Sequence, residues 1–142
     1  MIKLSKLTDY AITLLSVLYK NKTRSFSASV LAEVTGIPEP TTSKILKQLS
    51  ASDLVTSTRG VKGGYQVNGD YEAVSLTKVI EIIEGDISLT DCASCITHEC
   101  ANKEICPMDG GWMEINKAVL NTLNSFSLAG VLDKAKTIEI RE

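Results

Sequence analysis

Leu31-Ala-Glu-Val-Thr-Gly-Ile-Pro-Glu-Pro-Thr-Thr-Ser-Lys-Ile-Leu-Lys-Gln-Leu49 sets a glycine–proline break between two helical periodicities. Upstream of the break, Val30, Leu31 and Val34 form a short apolar face, Ser27 stands where an N-cap belongs, and Gly36 stops the helix. Gly36-Ile37-Pro38 makes a tight turn. A second helix then runs from about Pro40 to Ser50, with proline tolerated in its first turn because the missing N–H has no helical partner there. Helix, glycine turn and helix is the helix-turn-helix pattern.

The second helix has two faces. Ile45, Leu46 and Leu49, led by Thr42, make one apolar stripe. Opposite lie Pro40, Ser43, Lys44 and Lys47, flanked by Thr41 and Gln48, with no acid between Pro40 and Ala51. Downstream, Leu54-Val-Thr-Ser-Thr58 and Tyr65-Gln-Val67 are β-prone runs around Arg59-Gly-Val-Lys-Gly-Gly64. That is a basic β-hairpin wing, so residues 1–70 read as a winged helix-turn-helix domain. Upstream of it all, a first helix is expected from Thr8 or Asp9 to about Tyr19, with Thr8 as its cap and residues 20–25 as a polar loop.

The outward face suits a DNA major groove. Lys44 and Lys47 reach phosphates or guanine edges, while Thr41, Ser43 and Gln48 hydrogen-bond to bases. Arg59 fits a minor-groove or phosphate contact and Lys62 a phosphate contact. An ordinary solvated helix face would explain the two lysines alone; the ordered set of helices and wing favours DNA. Charge agrees. Residues 1–66 carry nine Lys/Arg against four Asp/Glu and residues 67–142 six against thirteen, a basic end on an acidic body within a net charge of −2.

Cys92, Cys95, Cys100 and Cys106 are all the cysteines of the chain and fall within fifteen residues, with the single histidine, His98, among them. Thiolates on a short polar loop suit a soft metal. The uneven spacing departs from paired zinc ligands and is compatible with an iron–sulfur cluster, whose cysteines bind different irons. A Cys92–Cys95 dithiol switch lacks a thioredoxin-like surround, and four inert thiols on one loop are unexpected. The short, mixed N-terminus shows no secretory leader, and no apolar run reaches membrane-spanning length. A cytoplasmic location follows, where thiols stay reduced and disulfides are disfavoured.

Residues 71–88 read as a connecting helix capped by Ser75 and closed by Gly85, residues 89–110 as the cysteine loop, and residues 111–142 as a long helix and tail. Trp112, Ile115, Val119, Leu123 and Phe126 recur at steps of three and four. A chain of 142 residues offers too little to cover that stripe, so a second copy is expected to do so. No nucleophile–base pair and no phosphate-binding glycine loop before a helix is present, so no enzyme is expected. The fold class is mainly α with a small β-hairpin wing and a long C-terminal dimerisation helix.

The chain resembles the winged-helix regulators that carry iron–sulfur clusters, of the IscR/NsrR/RirA type. The likeness rests on Leu4-Ser-Lys-Leu-Thr-Asp-Tyr-Ala11, on Leu31–Pro38 followed by Ser43–Leu49, on Arg59-Gly-Val-Lys-Gly-Gly-Tyr65, and on spaced cysteines before a long helix. The recognition segment looks most like the subgroup controlling sulfur-mobilisation (SUF) iron–sulfur assembly genes. The resemblance implies a homodimer on double-stranded DNA with paired half-sites, and a 2Fe-2S or 4Fe-4S cluster. Its cysteine triplet falls on Cys92, Cys100 and Cys106, leaving Cys95 as an extra thiol. Asp9 matches a carboxylate ligand supplied by the partner chain in some relatives; Asp109 stands where others have a histidine, and Cys95 and His98 are local alternatives.

Overall fold

Ser5, not Thr8, caps the first helix. The structure is a computed structural model that describes residues 3–94, 103–108, 110–138 and 140. In it α1 spans Lys6–Lys20, with the Ser5 hydroxyl accepting from the Thr8 backbone N–H at 3.3 Å. Thr8 is buried instead, and its hydroxyl donates to the Glu84 carboxylate. Both residues have the right chemistry for a cap; a distant carboxylate claims one of them.

The helix-turn-helix forms as its punctuation dictates. α2 (Ala28–Thr35) is capped by the Ser27 hydroxyl on Val30 N–H and ends at Gly36, whose left-handed φ of +70° a side chain would strain. Ile37 is buried under the turn, and its carbonyl accepts from the Thr42 hydroxyl at 3.4 Å. α3 (Glu39–Ala51) buries Thr42, Ile45, Leu46 and Leu49 against Ala11, Leu14, Leu15 and Leu18 of α1. The apolar stripe of α3 is thus spent on the core, and its opposite face is left outward.

The wing is β1 (Val55–Thr58) and β2 (Gly64–Val67), antiparallel with Val55 opposite Val67 and Thr58 opposite Gly64. A third segment joins it: Phe26 and Tyr65 exchange backbone hydrogen bonds of 3.0 and 2.8 Å. The polar loop after α1 therefore ends in a one-residue strand that anchors the wing to the helices. Gly64 permits the approach. Its φ is +152°, and a Cβ there would lie 2.7 Å from the Phe26 carbonyl carbon and oxygen. Gly64→Ala is expected to destabilise the fold by about 2 kcal/mol or more, through backbone strain and the loss of this bridge. A urea denaturation midpoint equal to wild type would refute that account.

After the wing, Tyr71 is buried, stacks on Tyr19 at 5.7 Å, and donates its hydroxyl to the Leu54 carbonyl at 2.6 Å. Burial pushes its ionisation well above the usual tyrosine range. α4 (Leu76–Glu84) is capped by Ser75 and followed by Gly85. Single 3₁₀ turns at Asp91–Ala93 and Lys103–Ile105 flank the middle of the cysteine run. α5 (Gly111–Asn124) and α6 (Leu128–Leu132) complete the chain. α6 does not extend away with α5. Leu128 and Leu132 join the same core as α1, with Leu128 N–H bonded to Val74 and Leu76 N–H to Phe126.

Candidate nucleic-acid interface and cysteine site

On α3, Pro40, Lys44 and Lys47 are exposed, and Thr41, Ser43 and Gln48 are half-buried. The amide oxygen of Gln48 is itself buried without a hydrogen-bond partner among the described residues, so this side chain is less available than its place on the helical wheel implied. Arg59 and Lys62 stand exposed at the wing, on either side of a fully exposed Val61.

Four other cations of the basic end lie against the protein. Lys20 pairs with Asp133 at 3.9 Å, Lys22 lies 4.2 Å from the centre of the Tyr19 ring, and Arg24 lies over Phe26 at 5.1 Å. Lys6 sits over Tyr10 at 5.6 Å. Among the described residues no ion pair holds Lys44, Lys47, Arg59 or Lys62. Four exposed cations without an ion pair therefore stand together on α3 and the wing, where phosphate contacts need them.

Cys92 is exposed on the Asp91–Ala93 turn, its sulfur 3.2 Å from the Thr90 hydroxyl. Cys106 is half-buried just after the second turn, and both are free thiols. Cys95, His98, Cys100 and Asp109 lie outside the described residues. Asp9 is an exposed acid in the first turn of α1, favourable to the helix dipole by about 0.3–1 kcal/mol. Among the described residues no three His, Cys, Asp or Glu side chains converge as metal ligands, so one chain does not bring Asp9 to Cys92 and Cys106. The donor chemistry present, two unpaired thiols ahead of α5, nonetheless suits an iron–sulfur group.

Two residues that the sequence reading passed over shape this region. Glu84 accepts from Ser5 N–H at 2.8 Å as well as from Thr8, joining the end of α4 to the start of α1. Burial opposes its ionisation, but the hydrogen bonds from Thr8 and Ser5 outweigh that and hold its carboxyl below the usual range. Asn116 is buried on α5 and holds the segment ahead of it. A polar residue within the apolar repeat of 112–126 was its one available signal. Three of the five stripe residues are uncovered by the described residues, Trp112 being 37%, Ile115 45% and Phe126 47% exposed, while Val119 and Leu123 are half-buried.

Residues 4–134 match the family model described as Rrf2, iron-dependent transcriptional regulator. The chain belongs to the Rrf2 family. It is a DNA-binding transcriptional regulator and not an enzyme. Similar curated relatives include the HTH-type transcriptional regulator IscR of Klebsiella pneumoniae, 22% identical over 92% of this chain and 80% of the relative. Another is the HTH-type regulator NsrR of Halalkalibacterium halodurans, 24% identical over 92% of this chain and 90% of the relative. Among solved structures, CymR, the global cysteine regulator of B. subtilis, has the same fold: TM-score 0.73, 23% identity, covering 96% of this chain and 100% of that one. No described helix is long and apolar enough to cross a membrane.

Proposed function

We propose that this Rrf2-family protein is a cytoplasmic homodimer that senses iron, redox state or nitric oxide through an iron–sulfur cluster and controls iron–sulfur assembly or iron homeostasis genes. The observation that carries this reading is the pair of free thiols, Cys92 exposed on one 3₁₀ turn and Cys106 half-buried just after the other, bracketing the remaining cysteines in sequence ahead of α5. Cys92, Cys100 and Cys106 are the ligands in this reading, with Asp9 of the second copy as the fourth. The family's description as iron-dependent and the resemblance to the IscR/NsrR type support it. Within that type, the likeness of the recognition segment points to the SUF assembly genes.

On DNA, Lys44, Lys47, Arg59 and Lys62 neutralise phosphates while Thr41 and Ser43 meet base edges, with Pro40 and Gln48 packed beside them. Two copies joined through Trp112, Ile115 and Phe126 place two α3 helices on paired half-sites. A bound cluster supplies an iron centre sensitive to oxidation, nitric oxide and iron supply. Asp9 and the cysteines tie the DNA-binding part of one copy to the loop of the other, so loss of that tie alters DNA affinity. A zinc-stabilised or thiol-switched regulator is the alternative, favoured by the exposure of the Cys92 thiol.

Protein purified without air is expected to be brown, with a cluster mass on the dimer by native mass spectrometry. A colourless dimer carrying zinc would establish the alternative. Asp9→Ala is expected to shift the absorption and shorten the cluster lifetime while the dimer stays folded. An unchanged spectrum and lifetime would return the fourth position to Cys95, His98 or Asp109.

A further inference from the structure

Asn116 is 5% exposed, on a helix whose neighbouring apolar side chains are open to solvent. A buried amide is stable only when its polar atoms are bonded, and each polar atom of Asn116 is bonded to one segment. Its Oδ1 accepts from Leu89 N–H at 3.0 Å, and its Nδ2 donates to the Ile87 carbonyl at 3.3 Å and, at the limit of hydrogen bonding, to the Ala93 carbonyl at 3.5 Å. Only this orientation of the amide, oxygen toward the N–H and nitrogen toward the two carbonyls, satisfies all three.

Those contacts straddle Cys92. Ala93 is buried beside it and closes the turn through its N–H to the Thr90 carbonyl at 3.0 Å. The Ser94 hydroxyl donates to the Asp86 carboxylate, so residues 86–94 form a closed loop. A closed loop has a fixed shape of its own but no fixed place on the molecule. Asn116 supplies the place, and Cys92 is left pointing outward between two pinned positions.

We propose that Asn116 is the positioning residue for the Cys92 thiol, fastening residues 87–93 to α5 so that this helix sets where the sulfur stands. The role in sensing rests on the reading of Cys92 as a ligand given above; the fastening itself does not. Side chains that hold a ligand-bearing segment govern how well the ligands converge, and a hydrogen-bonded link to α5 carries any displacement of Cys92 to the helix with the uncovered stripe.

The test uses the full chain, reduced and metal-free, with Asn116→Leu, which fills the volume without polar atoms, and Asn116→Asp, which keeps an acceptor for Leu89 alone. In Asn116→Leu the Leu89 amide should exchange with deuterium roughly tenfold faster or more, as expected for losing a bond to a backbone group in a part-buried site. Iodoacetamide should label Cys92 faster relative to Cys106 in Asn116→Leu, and also in Asn116→Asp, where Leu89 keeps its acceptor but the Ile87 and Ala93 carbonyls face a carboxylate oxygen. In Asn116→Leu, Leu89 exchange at the wild-type rate, or faster exchange with an unchanged labelling ratio, would overturn the proposal. Each protein is then reconstituted anaerobically with ferrous iron and sulfide. Faster decay of visible absorbance in Asn116→Leu supports the sensing role; equal decay despite an altered labelling ratio overturns that role. A wild-type protein that stays colourless would refute the cluster reading, and the labelling ratio alone would then decide the positioning role. Should Asn116→Leu fail to fold, the Cys92-to-Cys106 labelling ratio of Asn116→Asp decides, and a wild-type ratio there overturns the proposal.

Discussion

Alanine at Cys92, Cys100 or Cys106 is expected to abolish the visible absorbance gained on anaerobic reconstitution, and alanine at Cys95 to leave it. This is the largest effect expected of any single substitution in the chain. A thiolate ligand supplies both charge and a covalent position to iron, and alanine supplies neither. Cys92 and Cys106 have the chemistry for this: both are free, and neither is sealed in the core. In the spacing that the resemblance to the IscR/NsrR type implies, Cys95 would be the surplus thiol. The measurement is the spectrum of each variant, with circular dichroism to show that the helices persist. Should Cys95→Ala bleach the protein while Cys92→Ala does not, the triplet has been placed on the wrong sulfurs.

On DNA, Lys44→Ala, Lys47→Ala and Arg59→Ala are each expected to weaken binding, and the form of the loss tells what each side chain touches. A lost phosphate contact lowers affinity for all sequences and reduces the salt dependence by about one ion. A lost base contact costs about 1–3 kcal/mol, a five- to 150-fold loss confined to the preferred sequence, and relaxes selection at that position. These side chains have no ion-pair partner among the described residues, whereas Lys20, Lys22 and Arg24 are engaged with the body. Gln48→Ala should cost less than either lysine, because part of its amide is already inside the protein. Titrations against a duplex selected from random sequence and a scrambled control separate the two modes. Wild-type affinity for both duplexes in Lys44→Ala and Arg59→Ala would remove this surface from consideration.

The local elements were legible because their signals are local. Ser27, Gly36 and Pro38 punctuate the two helices, the 42–45–46–49 stripe is a matter of helical period, and glycines mark the wing. The ends of α3 and α4 fall within a residue or two of where caps and periodicity put them. The likeness to the IscR/NsrR type stood on motifs spread along the chain, and the Rrf2 match over residues 4–134 bears out that family. The cysteine cluster was equally visible as chemistry, since a run of thiols needs no fold to be noticed.

What escaped were partnerships across the chain. Thr8 and Ser5 are both good caps on paper, and only the arrival of Glu84, 76 residues from Thr8, assigns the capping to Ser5. Phe26 has no assigned partner until Tyr65 pairs with it, and nothing local says that Leu128 and Leu132 reach the α1 core. Asn116 is a break in an apolar repeat until its amide meets residues 87–93. Period, cap and turn depend on neighbours a few residues away, and the sequence by itself determined the winged helix, its basic face and the thiols. Which buried polar group meets which backbone depends on how whole elements pack, so only the tertiary structure decided how the wing is anchored and what fastens the Cys92 segment to α5.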